Sequence, residues 1–131
     1  MTQEHKELLL KDLCARLPYG VKFMFNKNIY TTKGLDLIVT DEGYWEYAVN
    51  AKDIAPIEID FIKPYLFPLS SMTEEEKEEY CQLQQRVIYN SKGVVNEDVK
   101  NYINYCYKKH LDINNLIQME LAIDATGLNI Y

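Results

Sequence analysis

A chain of 131 residues, 47% hydrophobic and 26% charged, can bury about two thirds of its unfolded surface in one domain, with no disulfide or metal required. That apolar content excludes an intrinsically disordered chain. A formal net charge of −6 argues against binding a nucleic-acid backbone, which needs clustered Lys and Arg.

Residues 3 to 17 predict a helix, because Leu9, Leu10, Leu13, Cys14 and Leu17 recur at three- and four-residue spacing. Thr2 is its expected N-cap, Glu4 suits the first turn, and Pro18 and Gly20 stop it. The period then becomes two. Val21, Phe23 and Phe25 form a first strand, Asn26-Lys27-Asn28 supplies turn chemistry, and residues 28 to 32 form a second strand. Lys33-Gly34 is read as another turn, leading into a third strand with Leu35, Leu37 and Val39 on one face. Asp41-Glu42-Gly43 reads as a three-residue hairpin loop with Gly in the left-handed position, and residues 44 to 49 complete that hairpin. Ile57, Ile59 and Phe61 suggest a fifth strand, with a helical turn near residues 60 to 63 as the alternative. Pro64 and Pro68 impose an extended segment whose Tyr65, Leu66 and Phe67 are expected to pack along the core.

From Ser70 onward the pattern is helical. Thr73 with Glu76 fits a capping box, as does Ser71 with Glu74; Thr73 is preferred because it places Glu74, Glu75 and Glu76 in the first turn. Tyr80, Leu83, Val87 and Ile88 form the expected buried stripe, and Asn90-Ser91-Lys92-Gly93 the stop. Asn96 is read as the cap of a further helix along Val99, Tyr102, Ile103, Cys106 and His110, and Asp112 as the cap of a short last one. Residues 122 to 131 lack a clear period and are expected to be a flexible tail. The expected fold is therefore α+β in a single domain over residues 1 to 131. A small antiparallel meander of four to five strands, with curling toward a barrel left open, packs with an N-terminal helix and two to three C-terminal helices.

Cys14, Cys81 and Cys106 are odd in number and widely spaced, which suits buried thiols in a reducing compartment. The first residues lack the charge pattern of a signal peptide, and no apolar run approaches membrane length. The expected location is the cytoplasm, with no membrane contact. Cys106 and His110, four apart, share a helix face and could form a thiolate–imidazole couple or part of a metal site. Zinc needs three or four ligands, and a buried Cys beside a helix-terminal His explains the spacing as well. No phosphate-binding glycine loop, nucleophile elbow, Cys-x-x-Cys pair or calcium loop is present. No catalytic residue, metal site or cofactor is assigned.

Tyrosine, at 11 residues, is the compositional outlier. On a strand, Tyr44 faces one way and Trp45 with Tyr47 the other, so one set is a candidate for exposure, and Tyr65 is a further candidate contact. Glu74, Glu75 and Glu78 could contact a basic partner, although a solvated helix start accounts for them too.

The runs Arg16-Leu17-Pro18-Tyr19-Gly20-Val21, Lys63-Pro64-Tyr65-Leu66-Phe67-Pro68-Leu69-Ser70-Ser71-Met72-Thr73-Glu74-Glu75 and Leu121-Ala122-Ile123-Asp124-Ala125 resemble small uncharacterised proteins of bacterial chromosomes, prophages and other mobile elements. The resemblance implies a setting and carries no mechanism or site. The preferred functional expectation is a non-enzymatic protein-interaction module. The alternatives are an acidic inhibitor that occupies a nucleic-acid-binding site on a basic protein, and an enzyme or metal site using Cys106 and His110. A protein partner is expected, a homodimer is admitted, and nucleic acid comes last.

Overall fold

The computed structural model describes residues 2–89 and 96–131. Helix α1 spans Gln3–Arg16, with the Thr2 hydroxyl accepting from the His5 amide at 3.1 Å. Its buried positions are Leu9, Asp12, Leu13 and Arg16. The expected apolar stripe is thus rotated: Cys14 is exposed, and an ion pair takes its place inside. A one-turn 3-10 helix, Leu17–Tyr19, ends at Gly20, whose φ of 65° costs a glycine little.

Strands β1 (Lys22–Phe25) and β2 (Asn28–Val39) are joined by Asn26 and Lys27, with φ of 49° and 64°. Two consecutive left-handed residues match the twist of a tight hairpin. The turn expected at Lys33-Gly34 does not form, and β2 runs as one strand. Thr32 pairs with Ala51 and Gly34 with Asn50, leaving Lys33 as an extra residue. That irregularity lets β2 serve β1 along its first part and β3 (Trp45–Ala51) along its second. The loop between β2 and β3 closes as expected. The Gly43 amide donates to the Thr40 carbonyl at 2.9 Å, and φ at Gly43 is 89°.

The expected fifth strand shortens to β4 (Ile57–Glu58), followed by a 3-10 turn at Ile59–Phe61 and then β5 (Lys63–Leu66). The sheet order is β4-β3-β2-β1-β5-β6. There are six strands rather than four or five. The sheet is open and not a barrel, because its terminal strands β4 and β6 lie at opposite ends of that order.

Strand β6 (Ile123–Asp124) corrects the expectation of a flexible tail. It pairs in parallel with β5 through Tyr65↔Ile123 and Leu66↔Asp124, and Ala125 is buried. Beyond it, the Tyr131 hydroxyl accepts from the Lys22 amide at 2.8 Å and donates to the Tyr65 carbonyl at 2.6 Å.

The helical layer comprises α2 (Glu74–Tyr89) and α3 (Asn96–Lys108). The capping box forms: Thr73 Oγ1 accepts from the Glu76 amide at 3.1 Å, and Glu76 Oε1 accepts from the Thr73 amide at 3.0 Å. The two helices meet at Tyr80 and Tyr102, whose hydroxyls are 2.9 Å apart. Ile88, expected in the buried stripe, is 63% exposed, and the expected stop at residues 90–93 lies outside the described residues. Helix α3 begins at Asn96, the residue expected as its cap. Asp112 does bind backbone amides, accepting from Leu116 at 2.8 Å and Ile117 at 2.9 Å. The expected last helix does not follow, because Asn115 and Glu120 adopt φ of 57° and 61°, a conformation that an α-helix does not tolerate. Leu13, Phe23, Val49, Ile62, Leu66 and Leu116 share one core between α1, the sheet and this turn-rich segment.

Candidate interaction surface

The β2–β3 hairpin is longer than the core it covers. Its register places Leu35 opposite Val49, Leu37 opposite Tyr47 and Val39 opposite Trp45, and residues two apart on a strand share a face. At the inner end Val49 is fully buried. At the outer end the same face opens to solvent: Leu37 is 50% exposed, Val39 56%, Tyr47 43% and Trp45 69%. Tyr44, at the start of this end, is 53% exposed. These large side chains adjoin one another, and apolar patches of that kind mark contact surfaces more often than scattered single residues do.

Beside this patch lies a groove of about 430 Å³, walled on one side by Gln3, Lys6, Glu7 and Leu10 of α1 and on the other by Leu37, Tyr44, Trp45 and Tyr47. Lys6 ties the walls together. Its ammonium donates to Glu46 Oε2 at 2.8 Å and lies 3.0 Å from Asp60 Oδ2. These hydrogen bonds hold the Lys6 pKa above its ordinary value, and the bond from Lys6 holds the Glu46 carboxyl below its own. On the outer edge of each strand one amide is engaged by a neighbouring carboxylate: Glu46 Oε1 accepts from the Tyr47 amide at 3.0 Å, and Asp36 Oδ1 from the Leu37 amide at 2.9 Å.

The other residues singled out in the sequence lie elsewhere. Tyr65 does not join the exposed set. It is buried in β5, because β6 and the Tyr131 hydroxyl cover a strand that carries no local sign of a further neighbour. Glu74, Glu75 and Glu78 are exposed on the first turns of α2, with Glu74 3.4 Å from Lys77. The cap and the helix dipole account for that placement.

Cys106 is fully buried, and burial raises its thiol pKa to about 11, the opposite of what an activated nucleophile needs. His110 sits just past α3 with φ of 57°, its ring stacked on that of Tyr131 at 3.7 Å between centroids. Burial, with Arg16 and Lys22 nearby, lowers its pKa to about 4, and its Nδ1 has no hydrogen-bond partner. The pair thus consists of a protonated thiol and a neutral imidazole at neutral pH. Among the described residues, no group of three or more His, Cys, Asp or Glu could hold a metal ion. A second hollow, of about 510 Å³, lies against His110 and Tyr131, with Phe67, Leu111, Lys108 and Lys109 among its lining.

Sequence reasoning missed Leu37, Val39, Leu10 and the Lys6 bridge. The alternation of Leu35, Leu37 and Val39 opposite Trp45, Tyr47 and Val49 held the signal for the first two. The position at which α1 stops covering that stripe has no signature in the sequence. Fold and surface together define an α+β protein with an open six-stranded sheet whose central hairpin presents aromatic and aliphatic side chains to solvent. No protein-family model, curated protein or solved structure matches the chain. Among the described residues, no helix is long and apolar enough to cross a membrane.

Proposed function

We propose that the protein is a non-enzymatic interaction module that engages a protein partner through the outer end of the β2–β3 hairpin. The observation that carries this reading is the joint exposure of Leu37, Val39, Trp45 and Tyr47 on one face. Burying large apolar and aromatic side chains is the main source of affinity at protein interfaces. Keeping such side chains in water has no folding benefit that would account for them. The negative net charge favours a protein over a nucleic acid as the partner. The resemblance to proteins of bacterial chromosomes and prophages supports a setting of that kind, in the cytoplasm.

The test is affinity capture with the tagged chain from a bacterial lysate, compared with a Trp45→Ser, Tyr47→Ala variant. A stoichiometric protein held by the wild type and lost by a variant with the same urea midpoint supports the reading. Equal capture by both would sink the assignment of this surface.

A further inference from the structure

The geometry points to an amphipathic helix bearing Lys or Arg as the occupant of the groove between α1 and the β2–β3 hairpin. This rests on the interaction reading above and gives the partner its chemistry. Three observations carry it.

The first is the apolar face. Leu10, Leu37, Tyr44, Trp45 and Tyr47 line the groove, which suits the apolar stripe of a helix laid against it.

The second is charge. Among the described residues that line the groove, Lys6 is the one cation, and both Glu46 and Asp60 already engage it. Glu7 lines the groove and is exposed, and the hairpin loop beside Tyr44 adds exposed Asp41 and Glu42. The rim therefore carries an excess of carboxylates that a cationic partner would complement and a second copy of this acidic chain would meet with like charge. The positive end of the α1 dipole does not reverse this, since Thr2 caps it and Glu4 sits in its first turn. Trp45, 69% exposed, also offers a ring face to a guanidinium.

The third is the state of the strand edges. The Tyr47 and Leu37 amides donate to carboxylates of their own chain, so a strand added along either edge would have to displace them. The open surface is the face of the hairpin, which receives a helix more readily than a strand.

Trp45 is the only tryptophan in the chain, so its emission reports on the groove without a label. The full chain is titrated with three synthetic amphipathic helices that share a Leu face and carry Arg, Gln or Glu on the other. The expected result is a saturable blue shift with the Arg helix, about tenfold or more tighter than with the Gln helix, weakened by salt, and absent with the Glu helix. A Glu7→Lys, Glu42→Lys variant should lose about tenfold in affinity for the Arg helix.

Binding of all three helices with equal affinity, or Arg-helix binding untouched by the charge variant, overturns the inference and leaves the hairpin surface as a contact. Sedimentation of the same samples separates the remaining outcomes. A dimer lost on Tyr47→Ala gives the groove to a second copy and overturns the inference alone. A monomer whose Trp45 emission responds to no helix overturns the inference and counts against the interaction reading, which the capture comparison then decides.

Discussion

Arg16 and Asp12 form an ion pair one helical turn apart in α1, and neither side chain exposes any surface. The guanidinium also donates to the Leu111 carbonyl at 2.6 Å and lies 4.8 Å from the centre of the Tyr107 ring, while the Asn114 amide donates to Asp12 at 2.9 Å. One helix thereby holds the end of α3 and the turn-rich segment after it. Removing either partner leaves an uncompensated charge in the core. Asp12→Ala and Arg16→Ala should each lower unfolding free energy by about 3–5 kcal/mol, measured by urea denaturation. The double change Asp12→Leu, Arg16→Met should cost less than either single change, because no buried charge is left behind. Equal or additive losses would show that the ion pair itself is worth more than its desolvation.

His110 predicts a specific pH dependence. Its folded pKa of about 4 lies below the ordinary value of about 6.5, so between those values the unfolded chain binds a proton that the folded chain does not. Stability should therefore rise with pH across this window and be independent of His110 above it. His110→Asn tolerates the left-handed backbone and does not titrate. The difference between wild-type and variant urea profiles from pH 4 to pH 7 isolates the effect, since Glu46 and the other carboxylates titrate in both. A constant difference across that range would contradict the assignment.

Beyond β6, one hydroxyl ties the last residue, Tyr131, to both β1 and β5. Tyr131→Phe keeps the ring on His110 and removes both hydrogen bonds to β1 and β5, which should cost about 1–2 kcal/mol. Amide exchange at Lys22, whose N–H donates to that hydroxyl, should accelerate in the variant. An unchanged Lys22 exchange rate would show that the tail is held by other contacts.

The three cysteines should separate into two classes. Cys14 and Cys81 are exposed and Cys106 is buried, with its thiol pKa raised to about 11. A disulfide reagent at neutral pH should modify two thiols quickly, while the third follows only at the rate of unfolding. Fast modification of Cys106 in the native protein would reopen a reactive-thiol role.

Trp45 should be dispensable for folding. Because its side chain is largely in water, Trp45→Ser should change unfolding free energy by no more than about 0.5 kcal/mol, while removing the hairpin's largest contact. A large loss of stability would mean that Trp45 serves the core and not a partner.

The local sequence determined the parts of this protein that local chemistry controls. Thr2 and Thr73 cap their helices, Asn26-Lys27 and Asp41-Glu42-Gly43 turn the chain, and the alternation from Leu35 to Val49 sets one hairpin and its register. Each depends on side chains within a few residues of one another. The tertiary structure decided the rest. Lys33-Gly34 looks like a turn, yet pairing on both sides keeps β2 continuous. Ile123-Asp124 reads as tail, yet β5 offers it an edge that only a distant part of the chain could supply. Nothing in the local sequence marks Asp12 and Arg16 for burial, and their buried pair draws its further contacts from Leu111, Asn114 and Tyr107, far along the chain. The exposed aromatic surface belongs to the same category. Alternation put Trp45 and Tyr47 on one face and left open whether that face is covered; the structure buries Val49 on it and leaves Tyr47 and Trp45 in water, because burial depends on what the rest of the chain brings to a surface and not on the residues that form it.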